Sequence, residues 1–111
     1  MLKTFVFDVD GTICSISNDN YLNAEPFFER IKKINELYEQ GNTIIFFTAR
    51  GMGSSLNDIN SSKEKYEKLT HNQLLFWGVK YHNLFLGKPA GDIYIDDKGI
   101  SDKEFFILGT Y

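Results

Sequence analysis

Asp8 and Asp10 stand two residues apart at the end of a short apolar run, F-V-F-D-V-D-G-T. In an extended chain this spacing puts both carboxylates on one side, about 7 Å apart between Cα atoms. Two acids so placed can divide nucleophilic and acid–base work between them. Polar residues recur where other apolar runs end. Thr48, Ala49 and Arg50 follow T-I-I-F-F; Asp96 and Asp97 follow I-Y-I, with Lys88 ahead of them. Buried acids are costly unless they are paired or bind metal. Four carboxylates at one sheet edge would repel one another without a cation. A hard divalent ion with oxygen ligands answers that, magnesium foremost.

Such a cluster suits a phosphate ester. The ester is anionic and repels nucleophiles, and a metal ion with a lysine neutralises its phosphoryl oxygens. A carboxylate held in line can attack phosphorus and form an aspartyl-phosphate. A second carboxylate two residues on can protonate the leaving oxygen and then activate water. Gly11 lets the backbone turn away from the pocket, and the Thr48 hydroxyl can donate to a phosphoryl oxygen.

The elements that must carry these residues follow from the apolar pattern. Residues 2–9 read as a buried strand ending near Asp8, and residues 11–24, with Asn18, Asp19, Asn20 and Asn23, as a loop or short hairpin. Phe27, Phe28, Ile31, Ile34, Leu37 and Tyr38 are spaced for an amphipathic helix over 25–40, with Pro26 in its first turn and Gly41-Asn42 stopping it. Residues 43–48 are an uninterrupted apolar strand, the kind buried in a parallel sheet. A Gly/Ser/Asn loop spans 51–62, and a second helix spans 63–77 and ends before Gly78. Strands follow at 83–86, 92–96 and 104–108. The order β-α-β-α-β-β-β implies a mostly parallel sheet with helices on its faces, ligands binding beyond the carboxyl ends of the strands.

The chain has 111 residues, enough for one domain with a real core over 1–111, and its 42% hydrophobic content fills that core. A net charge of -3 argues against a nucleic-acid partner, which would need a basic face. No run approaches the ~20 apolar residues of a membrane span. Cys14 is the single cysteine, so no internal disulfide forms, and no signal-peptide layout is readable. The expected location is the cytoplasm.

D-V-D-G-T after an N-terminal strand resembles motif I of the haloacid dehalogenase superfamily of phosphohydrolases. Thr48 closing an apolar strand is similar to motif II, Lys88 to motif III, and the I-D-D of 95–97 to motif IV. The resemblance spans residues 5–97. It implies a Rossmann-like three-layer α/β sandwich and a magnesium-dependent phosphomonoester hydrolase. Asp8 would be the nucleophile and Asp10 the general acid/base, with Thr48 and Lys88 on the phosphoryl group. Asp96 would ligate magnesium with the Asp8 carboxylate and the Asp10 carbonyl, and Asp97 would act close by or through water. Thr12, Ala49 and Arg50 are candidate substrate contacts, although an ion pair inside the protein accounts for Arg50 equally well. Thirty-five residues separate Thr12 from Thr48 and 39 separate Thr48 from Lys88, too few for a cap domain. Capless members act on large substrates or form oligomers that cap one another. T-A-R-G, W-G-V and L-G-K-P-A-G-D-I-Y-I-D-D are similar to small proteins of capsule and surface-polysaccharide biosynthesis, which implies a sugar phosphate or phosphorylated glycan precursor.

Each feature also has a plainer reading. Asp-Gly pairs often make turns, Thr48 could only end a strand, Lys88 could be a solvated loop lysine, and Asp96-Asp97-Lys98-Gly99 could be an ordinary turn. The competing functional class is a non-catalytic phosphate- or metal-binding module, related in fold or receiver-like. A receiver's phosphorylated aspartate lies mid-chain, whereas the first acids here follow the first strand.

Overall fold

The structure, a computed structural model, describes every residue except Asp19, Ser54, Ser55 and Thr110. Those four include one polar residue of the 11–24 loop and two serines of the 51–62 loop. Among the described residues three strands form, β1 (Thr4–Phe7), β2 (Thr43–Thr48) and β3 (Asn83–Leu86), with helices α1 (Phe28–Glu39) and α2 (Ile59–Phe76) between them. All three strands are parallel and β2 lies in the centre. The result is a small α/β domain. No helix among the described residues is long and apolar enough to cross a membrane.

Register decides what the sheet buries. Phe7 pairs with Phe46, and Phe46 pairs with Leu84, so these share one face; Thr48 pairs with Leu86 on the same face, at the carboxyl end. Phe7, Ile44 and Phe46 join Ile31, Ile34 and Leu37 of α1, Leu74 of α2, and Phe105 in one core. The opposite face carries Val6 and Phe85, both exposed, with Ile45 and Phe47 half-buried.

Both helices end where glycine was expected to end them. Gly41 donates to Tyr38 O and Asn42 to Leu37 O; Gly78 donates to Leu75 O and Val79 to Leu74 O. Both glycines have positive φ, and each pair of bonds closes the helix with the geometry that φ allows. The helix starts differ from expectation. Pro26 lies before α1, in an isolated bridge to Cys14, so the helix begins two residues beyond it. α2 starts at Ile59, inside the expected loop, because the Asp58 side chain accepts from Asn60 N at 3.0 Å and from the Ser61 hydroxyl.

Two expected strands are corrected. Residues 92–96 are exposed and carry no strand. The Tyr94 hydroxyl donates to Pro89 O and accepts from Gly91 N, and Asp96 accepts from Lys98 N and Gly99 N. Local side-chain bonds of this kind offer the backbone an alternative to a ladder. Residues 104–108 form a π-type turn, Glu104–Leu108, in place of an edge strand. Ser101 Oγ accepts from Glu104 N at its start, and Gly109 in the left-handed region closes it by donating to Glu104 O. Coiling turns Phe105 onto Phe5 and Phe7, with ring centroids at 5.7 and 5.3 Å.

Candidate active site

Asp8 follows the last residue of β1, and Thr48 is the last residue of β2. A parallel pair thus brings both to one sheet edge. They line a cavity of about 210 Å³ together with Asp10, Ala49 and Arg50, and with Ser17 and Tyr21 from the loop after β1. That volume lies below the ~300–1,000 Å³ of sites for drug-sized ligands. It suits a small anionic head group whose remainder stays outside. A larger cleft of about 490 Å³ runs along α1 beside Trp77. Neither a strand end nor any of the expected site residues lines it, so of these two cavities the smaller carries the chemistry.

Asp8 is half-buried. Burial pushes its carboxyl above the usual carboxylate range; the Lys88 charge and the Val9 backbone N–H pull the other way. Thr48 Oγ1 accepts from Arg50 N at 3.1 Å, which leaves the hydroxyl proton to donate. Lys88 lies two residues beyond β3, and its backbone N donates to Thr48 O at 3.2 Å. Its ammonium lies 4.3 Å from the centre of the Tyr94 ring. Thr12 is not among the residues around the cavity; its carbonyl accepts from Arg30 at 3.0 Å.

Arg50 has partners throughout the protein. Nε donates to Asp10 Oδ2 and Nη2 to Asp10 Oδ1, both at 2.9 Å. Nη1 donates to Gln73 Oε1 at 2.7 Å and to Thr70 Oγ1 at 3.2 Å, and Nη2 also faces Cys14 Sγ at 3.9 Å. The side chain is 0% exposed, and the Tyr21 ring covers it at 4.6 Å. A guanidinium has five N–H donors, and every one has an acceptor here. Of the two readings open for Arg50, the side chain makes the ion pair inside the protein. The turn after it requires Gly51. Its φ is +77° and a Cβ would stand 2.4 Å from the Tyr66 ring.

The expected gathering of Asp8, Asp10, Asp96 and Asp97 is corrected. Among the described residues no three His, Cys, Asp or Glu side chains stand close enough to hold a metal ion. The Asp10 carboxylate is held by Arg50, a pairing that leaves its backbone carbonyl, the expected ligand, untouched, and Asp96 Oδ1 accepts from two backbone N–H groups that hold its carboxyl below the usual range. Asp96 and Asp97 are exposed. As placed, Asp8, Asp96 and Asp97 do not form one metal-binding group.

Tyr21, Ser17, Thr70 and Gln73 escaped the sequence reading. Thr70 and Gln73 had a signal: they are polar positions one turn before Leu74 and Trp77, on the stripe that α2 buries. Ser17 and Tyr21 sit in an aperiodic loop that carries none.

A crystal structure of an MCSG target from Vibrio cholerae is similar in fold, with a TM-score of 0.86 and 26% identity over 96% of this chain and 89% of that one. No family model and no curated protein matches the chain.

Proposed function

We propose that this protein is a phosphomonoester hydrolase of the haloacid dehalogenase type, with Asp8 as nucleophile. The observation that carries the reading is the half-buried Asp8 carboxyl lining a small cavity at the carboxyl ends of parallel strands. Asp10 and Thr48 share that cavity, and the Lys88 charge acts on Asp8.

An Asp8 oxygen attacks phosphorus, the ester P–O bond breaks, and Asp10 passes a proton to the leaving alkoxide from an oxygen lone pair that its bonds to Arg50 leave open. Asp10, now a carboxylate, takes a proton from water. The water oxygen attacks phosphorus, the bond to Asp8 breaks, and inorganic phosphate leaves. Thr48 donates to a phosphoryl oxygen, and Lys88 offsets its charge. The small cavity supports a substrate held by its phosphoryl head, with a sugar phosphate or glycan precursor as the class implied by the resemblance.

Phosphate release from sugar phosphates, nucleotides and an aryl phosphate tests this, with wild type beside Asp8→Asn. Release that vanishes in the variant supports the nucleophile; release that persists rejects it. Magnesium dependence belongs to the resemblance, not to the donor geometry, and an EDTA arm measures it. No release from any panel member would favour the binding-module reading.

A further inference from the structure

Asp10 has its two oxygens fixed by one guanidinium, and that guanidinium is itself fixed from α2. Gln73 Oε1 accepts from Arg50 Nη1 at 2.7 Å, while Gln73 Nε2 donates to Tyr21 O at 2.8 Å. Gln73 thus ties α2 to both the Arg50 head and the loop that walls the cavity. The chain Gln73–Arg50–Asp10 is continuous in hydrogen bonds. Ser62 Oγ holds the Arg50 backbone by donating to Arg50 O at 2.5 Å, and Tyr21 covers the guanidinium. Arg50 therefore has neither a free donor nor an exposed surface for substrate. What it can do is set the direction of the Asp10 carboxylate. A planar fork does this well, because two parallel bonds leave the carboxylate little freedom to rotate.

We propose that Gln73 and Arg50 are positioning residues that act through Asp10, with α2 as the rigid element holding them. This rests on the hydrolase reading for its catalytic consequence, though not for its geometry. Acid–base groups lose effect steeply when misplaced, up to about 100-fold for a displacement near 1 Å. Gln73 does not line the cavity, so its loss is expected to leave ground-state binding nearly unchanged.

The test compares wild type, Gln73→Leu, Arg50→Lys, Asp10→Asn and Asp10→Asn/Gln73→Leu on an aryl phosphate, with melting curves to establish that each is folded. Gln73→Leu is expected to lower kcat about 10- to 100-fold with KM within about twofold. In the Asp10→Asn background the same change is expected to cost nothing further, since residues acting as a unit are non-additive. A raised KM with kcat retained, an unchanged kcat, or an undiminished loss in the Asp10→Asn background would each overturn the proposal. A crystal structure of Gln73→Leu is the second readout and needs no activity. An Asp10 carboxylate turned away from Arg50 supports positioning by Gln73; an intact bidentate pair rejects it. Should wild type hydrolyse nothing while that carboxylate turns, the hydrolase reading falls and the positioning relationship stands.

Discussion

Arg50 and Asp10 form a two-bond pair, Nε to Oδ2 and Nη2 to Oδ1, each 2.9 Å long. The arginine is wholly buried and the aspartate side chain is 20% exposed. Asp10 thus stands at the boundary between the interior and the cavity. The pair joins the end of β1 to the end of β2, and Thr70 and Gln73 join both to α2.

Removing Arg50 should be costly. Arg50→Leu strands Asp10, Thr70 and Gln73 around an apolar side chain. Breaking a buried pair from one side costs about 3–5 kcal/mol. Arg50→Lys keeps a charge and loses the fork, so it should be destabilised by less. Urea denaturation of the two variants beside wild type measures both.

Asp8→Asn should raise stability at neutral pH while it removes turnover. Burial disfavours the Asp8 carboxylate, so its folded pKa lies above the ordinary 3.8. The folded state then binds more protons between those values. The contribution of Asp8 to stability is fully present below 3.8 and is lost as pH rises through the folded pKa. An amide carries no such penalty. The melting-temperature difference, variant minus wild type, should therefore grow as pH climbs from about 3.8 toward neutral.

Cys14 should resist alkylation in the folded protein. Burial and the neighbouring Asp10 carboxylate push its thiol up to about 12, and the side chain is fully buried. The thiolate is the reactive form. Iodoacetamide at pH 8 should label the unfolded chain and leave the native chain unlabelled by intact-mass measurement.

Ser17→Ala should be neutral or stabilising, by up to about 1–3 kcal/mol. Ser17 Oγ is buried without a hydrogen-bond partner among the described residues. The hydroxyls of Ser15, Ser61, Ser62 and Ser101 all have one. An unmade bond is a cost that alanine removes. A drop in melting temperature would contradict this.

The first two strands, the third strand and both helix ends were legible because they depend on nearest-neighbour chemistry. Apolar runs make Thr43–Thr48 and Asn83–Leu86 strands wherever they land, and Gly41 and Gly78 supply the positive φ that closes a helix. The placement of Asp8 and Thr48 at one edge was legible for the same reason, since parallel strands align their carboxyl ends. Residues 92–96 were misread because the short apolar run I-Y-I suits a strand, whereas Tyr94 and Asp96 bond to nearby backbone groups instead. Residues 104–108 were misread because aromatic, β-branched composition does not say whether a ladder partner exists. The local pattern of residues by itself determined the parallel α/β layout and the two acids at the end of β1. Only the tertiary structure decided that Arg50 belongs to Asp10, Thr70 and Gln73. Those partners lie 40, 20 and 23 residues away, and pairing across such distances depends on how α2 packs against the sheet edge.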